Sequence, residues 1–493
     1  MNKILMQQRI EKAQKEIDSK KGYIQSGEMR QHYHFMPQSG WMNDPNGLIF
    51  FKGQYHVFYQ TNPYNGFWDC MHWGHAVSKD LVHWEYLPLA LAPSEEYDDY
   101  QKGGCFSGSA IEHEGKLYVF YTATANLGKG SEQSQCLAIS EDGINFEKYD
   151  GNPLFDAPEG IQPDSFRDPK VWKHENKYYM VVGASRNNRG LALIYESADL
   201  YHWNFLNVLA ESRGEWGFMW ECPDFYQLGD KYVLTFSPMG SGDHTSVYLT
   251  GDFDYKTGKF DWHISGEMDW GFDFYAPQSM VAPDGRRLIV AWANEWEWMP
   301  LFKDWGPTYQ EGWCGFFNLI REVRMCKDGT LAFVPVEEME KIRENKFTQR
   351  EIQVTEAPRQ LKAGDGISFE MKFTLDLEET NADRVELKLR CGKEKETRCI
   401  FNLKNGELLV DRSCADGWSV GTSRSVLRVS EKSLDVHIFS DQSSLEIFTD
   451  QYRNNHSNNI FAGKEQNIIT ISAFGGRAII RDYEAYGLQE CFK

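Results

Sequence analysis

No run in this chain of 493 residues approaches the ~18 consecutive apolar residues of a membrane-spanning helix, so no membrane role is expected. The N-terminus offers only Ile4-Leu5-Met6 before Gln7, Gln8 and Arg9, too short for the core of a secretory leader, which predicts a cytoplasmic protein. Ten cysteines, scattered from Cys70 to Cys491, lack the spacing of a metal site or of a small disulfide scaffold. Free thiols are expected of them in a reducing compartment. Positive charge is also scarce: 52 Lys and Arg against 72 Asp and Glu leave a net charge of −20. A field of that sign repels phosphate backbones and anionic lipid, so nucleic acid is not an expected partner. It says nothing against a locally basic pocket for one phosphate group.

What is present is the composition of a soluble globular protein, 41% hydrophobic and 25% charged, long enough for two domains and an appendage. Met6, Ile10, Ala13 and Ile17 follow the period of one amphipathic helix within an appendage spanning 1–32. From 33 to 337 the pattern becomes short aromatic and β-branched runs between Gly, Asn and Asp, the mark of many antiparallel strands. A turn-plus-strand unit starts at Gly53, Gly115, Asn176, Asp230 and Gly285, at offsets of 62, 61, 54 and 55 residues. A second unit begins at Ser78, Ser140 and Ser197 and ends on an aromatic residue. Units of this size suit four-stranded blades, and five copies predict a five-bladed β-propeller. A linker is expected over 338–352. Alternating runs such as Ile367 to Phe373 then predict a β-sandwich over 353–493. The fold class expected is therefore all-β, with a short N-terminal helix. We expect the sandwich to support the propeller, extend its rim or mediate self-association into a homodimer.

In a propeller the innermost strands run the same way along the axis, so residues at equivalent starts gather at one mouth. Counting back nine residues from Gly53 and Asp230 reaches Asp44 and Glu221, and eight from Asn176 reaches Asp168. Each lies beside a proline that stiffens the backbone. The matching places in the other two repeats hold Phe106-Ser107-Gly108-Ser109 and Tyr275-Ala276-Pro277-Gln278, residues suited to a ligand. Alone, each acid reads as a turn residue. Together they predict a shared catalytic cavity. Glycoside hydrolysis needs one protonated and one ionised carboxyl group. Glu221 is expected to be the acid, by its longer reach and by crowding from Trp220 and a neighbouring negative charge. Asp44 is then the nucleophile. Asp168, tied to Arg167, is expected to bind sugar hydroxyls and stabilise positive charge in the transition state. Trp41, Trp68 and Trp220 are expected to wall the sugar.

These motifs, Trp41 to Gly47, Phe106 to Ala110, Phe166 to Pro169 and Glu221 to Asp224, resemble those of glycoside hydrolase family 32 in the same order and intervals. That family holds invertases, sucrose-6-phosphate hydrolases, inulinases and levanases. The resemblance spans nearly the whole chain. It implies a propeller followed by a sandwich, net retention, and no metal or organic cofactor. It also implies substrate contacts from Asn43, Gln60, Trp68, Ser107, Arg167 and Tyr275. The expected activity is hydrolysis of the terminal β-fructofuranosyl bond of sucrose, sucrose 6-phosphate or short fructans. One departure is Leu319-Ile320-Arg321-Glu322, where the family usually reads Leu-Pro-Arg-Glu.

Cys70, His72 and His75 are read as structural, since no carboxylate partner accompanies them. Alternatives weighed are a fructosyltransferase, an exo-acting inulinase or levanase, a non-catalytic sugar-binding propeller, and an inverting pentose glycosidase with carboxyl groups ~6.5 to 9.5 Å apart.

Overall fold

The computed structural model describes residues 3–99, 103–126, 131–242, 244–299, 306–429 and 431–492. Five sheets of antiparallel strands follow one another along the chain, and the first also takes the short strand Trp313–Cys314 in parallel against Gly40 and Trp41. The inner strands, nearest the axis, are Gly40–Phe51, Gly104–His113, Phe166–His174, Met219–Leu228 and Tyr275–Val281, in blades I to V. Each touches the next and the fifth touches the first, which closes the ring. The repeated turns beginning at Gly53, Gly115, Asn176, Asp230 and Gly285 lead into the second strand of each blade.

The serine units are turns after third strands. In blade I the Ser78 hydroxyl accepts the Leu81 N–H at 2.9 Å and Asp80 accepts the His83 N–H at 2.9 Å. Blades II and III repeat this arrangement with Ser140 and Asp142, and with Ser197 and Asp199. Short polar side chains satisfy the turn's own N–H groups, which fixes the strand return locally. Between blades III and IV, aromatic and branched side chains interlock in one core that joins Val181, Ala192 and Ile194 to Trp220, Phe236 and Leu249.

The helix expected near the N-terminus runs Lys3–Ile24 and buries Met6, Ile10, Ala13 and Ile17, which settle among Phe51, Leu89 and Phe146. It stops before residue 30, and Gly27 then lies where a Cβ would meet the Glu311 carboxyl. Among the described residues no helix is long and apolar enough to cross a membrane.

The expected linker is shorter than 338–352. A 3-10 helix, Glu337–Ile342, makes the crossing, and Arg343–Val354 already forms a strand against the last strand, Ala478–Leu488. Its charges mislead because one face of this strand is solvated, so Ile352 and Val354 alternate with exposed polar residues. Two six-stranded sheets enclose the core of this sandwich. Its strand Asn454–Asn459 lies against blade V, where the Trp270 N–H donates to Asn455 O at 2.7 Å.

Candidate active site

All five inner strands carry a bulge at the same level. In each, two residues stand opposite one on the second strand: 43 and 44, 106 and 107, 168 and 169, 222 and 223, and 276 and 277. A bulge turns side chains out of the pleat, and five at one height aim them into one mouth. Asp168, Cys222 and Ala276 adopt positive φ there, at 67°, 48° and 54°. Such backbone strain in residues with a side chain is tolerated where neighbours hold it. The Thr122 hydroxyl does so for Asp168, accepting its N–H at 2.9 Å.

The acids do not share one repeat position, as counting had suggested. Glu221 precedes its bulge, Asp168 is the first bulged residue and Asp44 is the second. Sequence intervals miscount because the inner strand of blade I runs two residues longer from its bulge to the turn than that of blade IV, one of the two being taken up by another irregularity between Asn46 and Ile49. The three carboxylates nonetheless reach one pocket of about 300 Å³.

Asp44 is 8% exposed, and its Oδ2 accepts the Ser107 hydroxyl at 2.6 Å. Its Oδ1 accepts no hydrogen bond. Asp168 Oδ2 accepts the Cys222 N–H at 2.9 Å, and the Cys222 thiol lies 3.5 Å from both Asp44 Oδ2 and Asp168 Oδ2. Burial holds that thiol well above its ordinary value. Burial, then the charge of Glu221, pushes Asp44 up to about 6 against the hydrogen bond from Ser107. Asp168 is pushed up to about 7, by burial first, although the Arg167 charge pulls it down. Like charges crowded out of water cannot all ionise easily.

Arg167 spends its shortest contacts on Glu221, from Nε at 3.0 Å and Nη2 at 2.9 Å to Oε1, and lies 4.0 Å from Asp168. The expected pairing with Asp168 is thus secondary, because the Arg167 side chain extends toward blade IV. Gln133 Oε1 accepts both the Phe166 N–H at 2.9 Å and Arg167 Nη1 at 3.3 Å. The Tyr275 hydroxyl donates to Glu221 Oε2 at 2.6 Å.

Asn43, Gln60, Trp68, Phe106, Ser107 and Arg167 all line the pocket. Tyr275 stands behind Glu221 and is 2% exposed. Of the three tryptophans expected as walls only Trp68 is one, lying edge-on to Phe106 at 6.0 Å. Trp41 and Trp220 are buried, and Trp220 donates to Trp216 O at 2.7 Å with its ring between blades, so it does not crowd Glu221. Gln133, Asp164, Met239 and Trp296 also line the pocket and were not foreseen. Only Trp296 had a signal, the alternation Glu295-Trp296-Glu297-Trp298 just past a second strand.

His72 Nδ1 lies 2.9 Å from Cys70 O, and His75 Nε2 lies 3.1 Å from His56 Nδ1. Burial lowers both rings. Among the described residues no group of three or more His, Cys, Asp or Glu side chains could hold a metal ion.

The family profile "Glycosyl hydrolases family 32 N-terminal domain" matches residues 34–335, and "Glycosyl hydrolases family 32 C terminal" matches 338–487. A sucrose-6-phosphate hydrolase of Zymomonas mobilis is 36% identical over 98% of this chain and 96% of its own length. One from Escherichia coli is 37% identical over 91% and 93%. Among solved structures, a β-fructofuranosidase of Bombyx mori superposes with a TM-score of 0.82 at 32% identity, covering 98% of this chain and 99% of its own. Sucrose-6-phosphate hydrolase from Lactobacillus gasseri gives 0.86 at 27% identity, with 97% of each chain covered. With both profiles matched in order over nearly the full length, the chain belongs to glycoside hydrolase family 32.

Proposed function

We propose that this glycoside hydrolase cleaves the terminal β-fructofuranosyl bond of sucrose or sucrose 6-phosphate with retention, through a covalent fructosyl-enzyme. The observation that carries this reading is Asp44: its Oδ2 is held by Ser107 while Oδ1 accepts no hydrogen bond, in a pocket shared with Asp168 and Glu221. A carboxylate oriented on one oxygen and free on the other is arranged for attack on the anomeric carbon.

Glu221 protonates the departing glucosyl oxygen and later takes a proton from water, so the fructosyl–Asp44 ester forms and is hydrolysed. Fructosyl hydroxyls compete for the donors of Arg167 and so loosen its hold on Glu221 Oε1. Asp168, fixed by the Cys222 N–H, binds hydroxyls and stabilises the oxocarbenium-like charge. Trp68, Phe106 and Trp296 supply apolar faces for the sugar rings. A cytoplasmic location belongs to the same reading, supported by ten free cysteines.

The test compares kcat/KM for sucrose, sucrose 6-phosphate, kestose and inulin, with Asp44→Asn and Glu221→Gln beside the parent chain. Both swaps preserve size and remove ionisable chemistry, so each is expected to lower turnover by about 10³-fold or more with an unchanged Tm. Near-parental rates in either variant would falsify the assignment. A preference for inulin over both sucrose forms would refute the substrate.

A further inference from the structure

The sandwich reaches the pocket wall through a line of side chains, buried at Arg412, Asp273 and Asn459 and half-buried at Trp298 and Trp296. Residues 293–299 leave the second strand of blade V and bring Trp296 into the wall. Trp296 stacks on Trp41 at 6.2 Å, and the Trp41 indole donates to Asn43 Oδ1 at 2.8 Å, next to Asp44. Two residues beyond Trp296, the Trp298 indole donates to Asp273 Oδ1 at 3.0 Å. The other Asp273 oxygen accepts Arg412 Nη1 at 2.7 Å and the Asn459 N–H at 2.7 Å.

Arg412 and Asn459 both belong to the sandwich: Arg412 follows the strand Glu407–Asp411, and Asn459 ends the strand Asn454–Asn459. The Arg412 guanidinium lies over Phe272 at 4.2 Å and over Trp298 at 4.5 Å. Asn459 also donates to Ala293 O at 2.7 Å and Asn294 Oδ1 at 2.8 Å, which pins the start of the loop. The side chains of Arg412 and Asp273 are each 1% exposed. Burying such a pair costs desolvation and yields little net stability over an apolar pair of similar shape. What it supplies is geometry, because every displacement of the loop breaks charged hydrogen bonds in a site closed to water.

We infer that Arg412 is a positioning residue that acts through Asp273 and Trp298 to fix Trp296 against the sugar, so the sandwich sets how tightly the pocket holds substrate. This rests on the reading of the pocket as a fructosyl site. Binding walls must be held to within a fraction of an ångström by the residues behind them.

Trp298→Phe keeps the ring and removes only its N–H, so the fold has least reason to fail. It is expected to raise KM for sucrose about fivefold, leaving kcat within about twofold and Tm unchanged. Trp296→Ala raises KM as well, and the double variant is expected to be no worse than Trp296→Ala alone, since both changes act through one wall. A parental KM in Trp298→Phe, or losses that multiply, would overturn the inference. Hydrogen exchange gives a readout without substrate: residues 293–299 should exchange faster in Trp298→Phe and Arg412→Met, with the blade V strands unchanged. Unaltered exchange in that loop counts against the inference. Sucrose turnover by the parent chain in the same assay judges the reading of the pocket separately.

Discussion

Arg167 places two donors on a single oxygen of Glu221, at 3.0 and 2.9 Å, and stands farther, at 4.0 Å, from Asp168 beside it in sequence. One guanidinium therefore screens two acids from different positions. Arg167→Gln is expected to lower kcat/KM by about 10²-fold or more, the usual scale for losing a charged donor at a reacting centre. The same change removes a charge that pulls Asp168 down. Without it the protonated form is favoured, so the acidic limb of the pH–rate profile should move to higher pH. A profile that loses height but keeps its limb would contradict this account.

In the proposed mechanism Asp44 attacks as the carboxylate, and in the free enzyme burial and Glu221 push it up to about 6. kcat/KM should fall as pH drops through that value. The Ser107 hydroxyl favours the charged form through its 2.6 Å hydrogen bond. Ser107→Ala removes that support, so the limb moves upward and the loss of activity is several-fold larger at pH 5 than at pH 7. Equal loss at both values would mean that Ser107 acts on substrate and not on Asp44.

Much of the architecture was legible because blades repeat: each turn marked by Gly53 or its counterparts leads into a second strand. The site was legible only in part. Counting finds the level of a residue along a strand, but a bulge shifts direction within that level, and no interval records it. Hence the meeting of Asp44, Asp168 and Glu221 in one pocket was legible while their three different bulge positions were not. Trp220 misled for a related reason, since adjacent residues on a strand face opposite ways and the neighbour of a pocket acid points into the core. Gln133 and Met239 come from second and third strands of other blades, and only the closed ring brings them to Arg167.

His34 is buried between Asp441, at 2.9 Å from Nδ1, and Glu446, at 3.0 Å from Nε2, and ties the segment before blade I to the sandwich. Burial pulls its pKa down, but the two carboxylates overcome this and raise it from 6.5 to about 9. A group raised in the folded state stabilises fully below 6.5 and loses that contribution as pH rises through about 9. Asp441 and Glu446 are both lowered to about 2 despite burial, so their contributions are lost on the acid side as pH falls toward that value. The contribution of this cluster, read as the Tm difference between the parent chain and His34→Gln, is expected to be highest between about pH 5 and 6.5 and to decline on both sides. His34→Gln should cost about 3 kcal/mol or more there, by leaving buried Asp441 without its facing cation and Glu446 with Arg321 alone, and should flatten the alkaline slope. An unchanged slope would remove His34 from the account.

Gly108 follows Ser107 and joins three blades: its N–H donates to Asn46 Oδ1 at 3.2 Å and its carbonyl accepts Gln278 Nε2 at 2.7 Å. A Cβ there would lie 1.9 Å from Phe120 O and 2.8 Å from Tyr121 Cα. Backbone atoms of a paired strand cannot swing aside as a side chain could, so the inner strand of blade II would have to move. Gly108→Ala is expected to cost about 3 kcal/mol, at the upper end for an overpacked core, and to reduce kcat/KM because Ser107 moves with it. Gly115, in the turn after the same inner strand, provides the contrast: nothing lies within 4 Å of its Cβ position, and only φ of +76° opposes a side chain. Gly115→Ala should cost about 1 kcal/mol and leave kcat/KM at the parental value. Thermal melts and sucrose kinetics on the two variants separate close approach at the site from ordinary turn strain, and equal Tm losses would show that the contact behind Ser107 has room to relax.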